Sequence, residues 1–394
     1  MEIALDLPFV EMEESREDES CKLLPFRAAS ILTEPACKVH EFARRIKIVE
    51  VLNPTDSKIR NFVRKCFLAI AIVVLAYIAL FTTLPGIAIR GVATYVQKSS
   101  FTYLKGNPDK EKILQGNKFS LLSWNVCCVP AGYAITNGNV MPWRYRIDAI
   151  INEIKMQNAD AVSLYEIFDA DASRYLYKRL KEEYPHFYVN IGPRALGVSS
   201  GFFVASKYDI RNPEFTPFPK STLVGRTKKS EKGVFSFDLQ SRKHSFARIF
   251  ATHLQHSNAS QFPTDPEIQG RKAQMELIAQ KVIQVKNRAA LLTGDLNMDE
   301  TELSASPHRH LFTKGTFPEN EKTWGGDQFC ASLVGDRPSE PLTLDHTLAL
   351  NNGSVESIET TYVHTGFNGK VFDPNSTSDH KGVLSIVTLQ TLAY

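Results

Sequence analysis

The chain has 394 residues, 43% of them hydrophobic and 23% charged, enough to bury one large core or two modest ones and incompatible with a disordered or collagen-like protein. Lys and Arg number 46 against 43 Asp and Glu, a formal charge of +3, so no overall basic coat marks a nucleic-acid binder. Six cysteines are too few for a disulfide scaffold at this length, and adjacent Cys127 and Cys128 are poorly placed to pair with each other.

Residues 1–57 lack sustained periodicity and carry the acidic tract EMEESREDES, which predicts a mostly flexible tail with a short helix around His40 to Val51. A basic flank and an apolar segment occupy 58–90. No charge occurs from Cys66 to Ile89, and Phe67 to Leu84 is long enough to cross a hydrocarbon core of about 30 Å as a single transmembrane helix. It has no polar face at helical spacing, which suits lipid better than a protein interior. Pro85-Gly86 predicts its stop. A cleaved signal peptide is not expected, since a long acidic stretch precedes the segment. Lys58, Arg60, Arg64 and Lys65 outnumber Arg90 and Lys98 across it, which predicts a cytoplasmic N-terminus and an outward-facing C-terminal part. A re-entrant or interfacial helix ending at Pro85 would instead leave both parts on one side.

Residues 91–117 read as a stalk, and 118–394 as one α/β or α+β domain of short apolar runs alternating with amphipathic helices. Strands are expected at Phe119 to Val126, Asp160 to Glu166, Phe187 to Ile191, Gly201 to Ala205, Gly233 to Leu239 and Phe246 to Thr252, and in AALLTGDLN, LTLDHTLAL and GVLSIVTL. Helices are expected around Trp143 to Ile154, Ala172 to Glu183 and Glu267 to Val285.

Polar residues recur at strand ends: Asn125, Glu166, His253, Asp295 with Asn297, Asp345, and Asp379 with His380. Each alone has an ordinary structural reading as a cap, a turn or a solvated group. Together, carboxylates and amide oxygens suit a hard divalent cation, and two histidines add an acid and a base. The Cys/His clusters of structural zinc and the GxxxxGK[ST] loop are missing from the sequence. Metal-assisted attack of water on a phosphodiester is the chemistry these parts fit.

The series SWN at 123–125, Glu166 closing AVSLYE, THLQ at 252–255, GDLN at 294–297, LDH at 344–346 and SDH at 378–380 resembles, in order, the endonuclease/exonuclease/phosphatase superfamily. The resemblance implies a four-layered DNase I-like sandwich, two packed β-sheets flanked by helices, with the site at one edge. It implies Glu166 as principal metal ligand with Asn125 beside it and Asp379 placing the metal shell, the metal being Mg²⁺ or the similar Mn²⁺. It implies His380 as general base oriented by Asp345. His253 with Asp295 would stabilise phosphoryl charge or protonate the leaving group, while Asn125 and Asn297 contact the substrate phosphate. Some family members carry an acid where this chain has Cys127, which puts a second-metal role there in doubt.

Within the superfamily, GVSSGFFVASKYDI (Gly197 to Ile210), Arg271 and Gln274 after THLQ, and Thr323-Trp324 resemble the neutral sphingomyelinase branch. That resemblance implies a membrane-anchored phosphodiesterase cleaving sphingomyelin to ceramide and phosphocholine, with a membrane lipid and the bilayer as partners. No stable nucleic-acid complex is expected, because RTKKSEK (Arg226 to Lys232) is one short cluster and not a basic groove. A nuclease, a phosphoinositide or inositol-phosphate phosphatase, and a non-catalytic tethered interaction protein are the alternatives, since one fold hosts many functions.

Overall fold

A computed structural model describes residues 19–97, 99–130, 140–194, 196–242, 244–257, 263–286, 288–324, 341–363 and 376–390. Two helices open the chain: α1 (Leu24–Lys47) and, after the one-turn α2 (Val49–Leu52), the 40-residue α3 (Lys58–Gln97). The sandwich follows, with strands β1 (Thr102–Lys105), β2 (Lys118–Asn125), β3 (Ala161–Tyr165), β4 (His186–Val189), β5 (Phe203–Ser206), β6 (Asp209–Pro217), β7 (Gly233–Ser241), β8 (His244–His253), β9 (Ala289–Asp295), β10 (Phe312–Lys314), β11 (Asp345–Leu350), β12 (Val355–Val363) and β13 (Gly382–Leu389). Helices α4 (Trp143–Gln157), α5 (Ala170–Leu180), α6 (Asp265–Val282) and α7 (Glu300–Ser304) lie between them.

Seven strands form one sheet in the order β1-β4-β5-β3-β2-β13-β12, and six form the other in the order β10-β11-β9-β8-β7-β6. Among the described strands, β2 with β3 and β8 with β9 are the parallel pairs. In each, a helix, α4 or α6, forms the connection between two consecutive strands, as a parallel crossover requires. The period-two alternation of strand side chains fixes the layers. Leu121 of β2 and Leu291 of β9 face the inter-sheet core with Phe119, Phe235, Phe237 and Ile249. Leu122 and Trp124 face α4 and α5, packing with Ile147, Ile150, Ile154 and Leu176. Leu292 and Phe250 face α6 through Met275, Ile278 and Val282. The result is helix, sheet, sheet, helix, the four-layered DNase I-like sandwich that the motif series implies.

The strands absent from the sequence reading are edge or near-edge ones. In β6 the pattern DIRNPEFTP carries Asn and Pro and is mostly solvent-facing, and β12 places glutamates on its open face. Neither presents a continuous apolar run, so neither stands out by hydrophobicity.

Three N-terminal expectations change. Residues 19–57, read as a flexible tail, hold the 24-residue α1, whose Phe26, Ala29 and Glu41 are buried. It is stabilised by packing against α3 and α5, which periodicity within the segment does not reveal. Residues 1–18 of that tail lie outside the described residues. Pro85 does not stop α3, which continues to Gln97. The turn after it is packed against α1, where a Cβ on Gly86 would stand 2.9 Å from Thr33 Cγ2 and 3.0 Å from the Ala29 carbonyl oxygen, so tertiary contact compensates the lost helix bond. Part of the expected stalk belongs to the sandwich, because β1 pairs with β4, Thr102 opposite Val189.

Candidate active site

The register of the strands gathers the polar residues at one edge. His253 closes β8 opposite Asp295 of β9, and Asp295 stands opposite Asp345, the first residue of β11. In the other sheet Asn125 ends β2 opposite Tyr165, the residue before Glu166. Ser123 pairs with Val383 of β13, which brings the Ser378-Asp379-His380 segment to the same edge. Tyr165 joins the sheets, donating from Oη to the Thr293 carbonyl at 3.2 Å and accepting from Ser123 Oγ at 3.2 Å.

The expected residues converge. Asn125 Nδ2 donates to Asp295 Oδ2 at 3.0 Å, and its side-chain Oδ1 accepts the Cys127 N–H at 3.1 Å. His253 Nε2 lies 3.4 Å from Asp295 Oδ2 and 3.9 Å from Glu166 Oε1. His380 Nδ1 is 2.8 Å from Asp345 Oδ2, and its Nε2 is 3.8 Å from Asp295 Oδ2. The Asn297 backbone N–H donates to Asp295 Oδ1 at 2.9 Å. Asp379 accepts from Ser378 Oγ at 3.2 Å, and the same hydroxyl also reaches the Asn125 carbonyl at 2.6 Å.

Burial and charge set the protonation pattern. Burial and the nearby Asp379 carboxylate push Glu166 up to about 7. Asp295 goes the other way. Burial would raise it, but His253, His380 and Lys232 outweigh that and hold it at about 2. Burial raises Asp345 to about 6 against the pull of His380. Burial also opposes protonation of His380, yet the carboxylates of Asp345, Asp295 and Asp379 raise it well above the ordinary imidazole value. His253 is pushed well below that value by burial and by the Lys232 ammonium. Burial and neighbouring charge thus shift the two histidines in opposite directions, His380 toward the cation and His253 toward the neutral ring.

Backbone conformation is committed to this geometry. Glu166 (φ 65°), Cys127 (φ 48°) and Asn297 (φ 49°) all sit in the left-handed region, a cost of about 1–3 kcal/mol each that persists where surroundings over-determine it. Gly294 of GDLN has φ 146°, and a Cβ there would overlap the Thr252 carbonyl oxygen of the neighbouring strand, so this position admits only glycine.

Sequence reasoning missed several residues that hold the site. Arg146 on α4 is fully buried. Its guanidinium donates to the carbonyls of Met141 (2.6 Å) and Val126 (2.6 Å), and also to those of Cys127 and Thr377. It ties the loop after Asn125 to the segment before His380. Its place on the buried face beside Ile147 and Ile150 was the available signal. Lys232, 3% exposed, donates to the Leu254 carbonyl at 2.5 Å. Burial lowers it to about 8 while Asp295 and Glu166 hold it up. Nothing in the short charged cluster around it marks it as buried. Thr323 Oγ1 accepts the N–H groups of Leu344 (3.0 Å) and Asp345 (3.2 Å), and the Trp324 ring lies 6.4 Å from that of His380.

Arg271 and Gln274 brace the THLQ segment from α6. Arg271 pairs with Glu302 at 2.6 Å and donates to the Gln255 carbonyl at 3.1 Å, while Gln274 Oε1 accepts the Gln255 N–H at 2.9 Å. His346 points away from the site to the Met298 carbonyl at 3.1 Å, a structural position.

The family model described as Endonuclease/Exonuclease/phosphatase family matches residues 122–380, which runs from the SWN strand through His380. The chain belongs to the endonuclease/exonuclease/phosphatase family. Its members are phosphodiesterases, nucleases and phosphatases. No curated protein matches the chain in sequence. Among solved structures, the fold is similar to beta toxin from Staphylococcus aureus, at 20% identity and a TM-score of 0.57, covering 68% of this chain and 99% of that one. It is similar to sphingomyelinase C from Streptomyces griseocarneus, at 20% identity and a TM-score of 0.54, covering 68% and 99%. A TDP2 from D. rerio, humanized by 14 mutations, matches at 16% identity and a TM-score of 0.50, covering 69% and 99%. These likenesses establish the fold.

Proposed function

We propose that the chain is a Mg²⁺-dependent phosphodiesterase that cleaves sphingomyelin to ceramide and phosphocholine. The observation that carries the reaction is the buried arrangement in which Asp345 holds the Nδ1 of His380 at 2.8 Å while Asn125 and His253 both address Asp295. An acceptor at Nδ1 fixes the tautomer and leaves Nε2 to take a proton from an attacking water. His253, held neutral, serves as an N–H donor to a phosphoryl oxygen in preference to a proton donor to the leaving group. The Lys232 ammonium adds positive charge beneath it, and Asn297 holds the phosphate.

The residues present fit a divalent cation. Burial first, and then the nearby Asp379 carboxylate, push Glu166 up to about 7. Carboxylates placed this way suit a hard cation with oxygen ligands. Glu166, Asn125 and Asp379 would hold it, and when bound it supplies charge neutralisation at the phosphate. Asp295, Asp345 and His380 also bring ligand atoms within 4.8 Å of one another, but Asp295 and the Asp345–His380 pair already have the partners given above, and they act better as a proton-transfer group. Asp379 is one of the carboxylates that raise His380, and a cation held there would offset it and favour the neutral imidazole that a base requires.

Three supports favour sphingomyelin. They are the branch-like segments at 197–210, 252–274 and 323–324, the fold shared with sphingomyelinase C and with a beta toxin variant crystallised with bound magnesium ions, and an apolar helix that would keep the sandwich beside a lipid. A panel of sphingomyelin, phosphatidylcholine, phosphoinositide and DNA, each with and without Mg²⁺, tests the reading. The expected result is Mg²⁺-dependent phosphocholine release from sphingomyelin vesicles, and turnover of DNA or phosphoinositide alone would replace it with the nuclease or phosphatase reading.

A further inference from the structure

Helix α1 is wedged between α3 and the site end of the sandwich. It runs antiparallel to α3, because Gly86 lies against Ala29, Leu32 and Thr33 while Lys65, near the start of α3, pairs with Glu50, just past the end of α1. At about 1.5 Å per residue, α1 therefore flanks α3 from Gly86 back to the neighbourhood of Leu68, which is the apolar stretch itself. The other side of α1 is fastened to loops and helix starts that follow β2 and β3, the strands carrying Asn125 and Glu166. Leu23 and Phe26 share a cleft with Ile167, Phe168 and Val198. Arg27 lies 3.2 Å from Asp171, Glu34 lies 3.7 Å from Arg144, and Arg45 donates to Tyr145 Oη at 3.4 Å. Ile48 is buried against Met141.

With this hairpin intact, a helix α3 that crossed the bilayer would carry Glu34, Lys38, Glu41, Arg44 and Arg45 into the hydrocarbon with it, together with Arg144 and Tyr145 of the sandwich, to which Glu34 and Arg45 are joined. Each charge costs about 2.5–3.5 kcal/mol at mid-depth. A helix lying along the membrane immerses only its outer face, where Phe67 (56% exposed), Val73 (70%), Tyr77 (65%), Phe81 (64%) and Leu84 (73%) stand open. Lys58, Arg60 and Arg64 at its start are exposed and reach headgroups. We propose that α3 lies in the plane of the bilayer, held there through α1, so that the N-terminus and the sandwich share one side and the strand-end site serves the membrane in which the helix rests. The occupant of the apolar face is the lipid bilayer. The inference stands apart from which phosphodiester is cleaved, and its test reads no turnover.

The full chain, with Cys37, Cys66 and Cys330 replaced by Ser, is added to preformed phosphatidylcholine vesicles and treated with a membrane-impermeant maleimide. Cys21 reports the N-terminal side, and Met156→Cys, exposed on α4, reports the sandwich. The expected result is that the protein floats with the vesicles after an alkaline wash and that both thiols react to the same extent with and without detergent. Failure to float, or a thiol that reacts only after detergent, overturns the proposal. A second variant, Thr33→Cys with Gly86→Cys, pins α1 along the apolar stretch by a disulfide. Oxidised and reduced forms should float alike, and loss of flotation on oxidation would show that α3 must leave α1 to enter the bilayer.

Discussion

The edge of the sandwich and the N-terminal hairpin break the ordinary distribution of side chains in opposite directions. At the edge, Asp295, Asp345, His253, His380, Arg146 and Lys232 are buried although charged or titratable. On α3 one face of large apolar residues is exposed, Val73, Tyr77, Phe81 and Leu84 among them. A buried charge is costly unless paired, and an exposed apolar face is costly unless covered. On the proposed function and the proposed membrane placement, each departure would be completed from outside the described chain: by a cation and a phosphate at the edge, by lipid along the helix. The comparison also separates two kinds of stability. The edge is held by many directed polar contacts, whereas the hairpin is held by helix packing and a few half-exposed ion pairs.

Substitutions should respect that division. The largest effects belong to the proposed general base and the proposed metal ligand. His380→Ala and Glu166→Ala should each lower phosphodiester turnover by about 10³-fold or more while circular dichroism shows an unchanged fold, and full activity in both would dismiss the mechanism. Arg146→Ala leaves four buried carbonyls without their donor. The loss should be about 3 kcal/mol or more, read as a large drop in melting temperature, and a change under about 0.5 kcal/mol would mean that water replaces the guanidinium.

The Asp295 carboxylate supplies a pH signature in chelator. Its folded value of about 2 lies below the usual carboxylate value, so its contribution is present above about pH 4 and is lost as pH falls through about 2. The amount is on the order of 2 kcal/mol. Asp295→Asn should flatten that acid limb of the stability curve, and an unaltered limb would assign it to other groups. The smallest effect belongs to the hairpin. Arg27→Ala should cost about 0.5 kcal/mol, since Arg27 and Asp171 are partly exposed at 35% and 18%, and a loss above about 2 kcal/mol would place this contact in the same class as the edge.

What could be read from the sequence follows the same line. Central strands with continuous apolar runs, such as AVSLY in β3 and AALLTGD in β9, are visible because both faces are buried. The polar residues that close them were visible because a carboxylate or histidine directly after such a run breaks the pattern. Edge strands β1, β6 and β12 were not, since their alternation is interrupted by solvent-facing polar residues. Arg146 and Lys232 were hidden for a different reason: their burial is created by loops far away in sequence, Thr377 for one and Leu254 for the other. The extent of α1 was hidden as well, because its partner is α3 and its polar residues face the sandwich.

The most direct measurement is phosphocholine release from sphingomyelin vesicles as a function of Mg²⁺ concentration, for the wild-type chain and for Glu166→Gln. The account predicts turnover that saturates with Mg²⁺ and vanishes in chelator, with Glu166→Gln needing at least about tenfold more Mg²⁺ for what activity it retains. Full turnover in chelator, or the same Mg²⁺ dependence in both proteins, would contradict it.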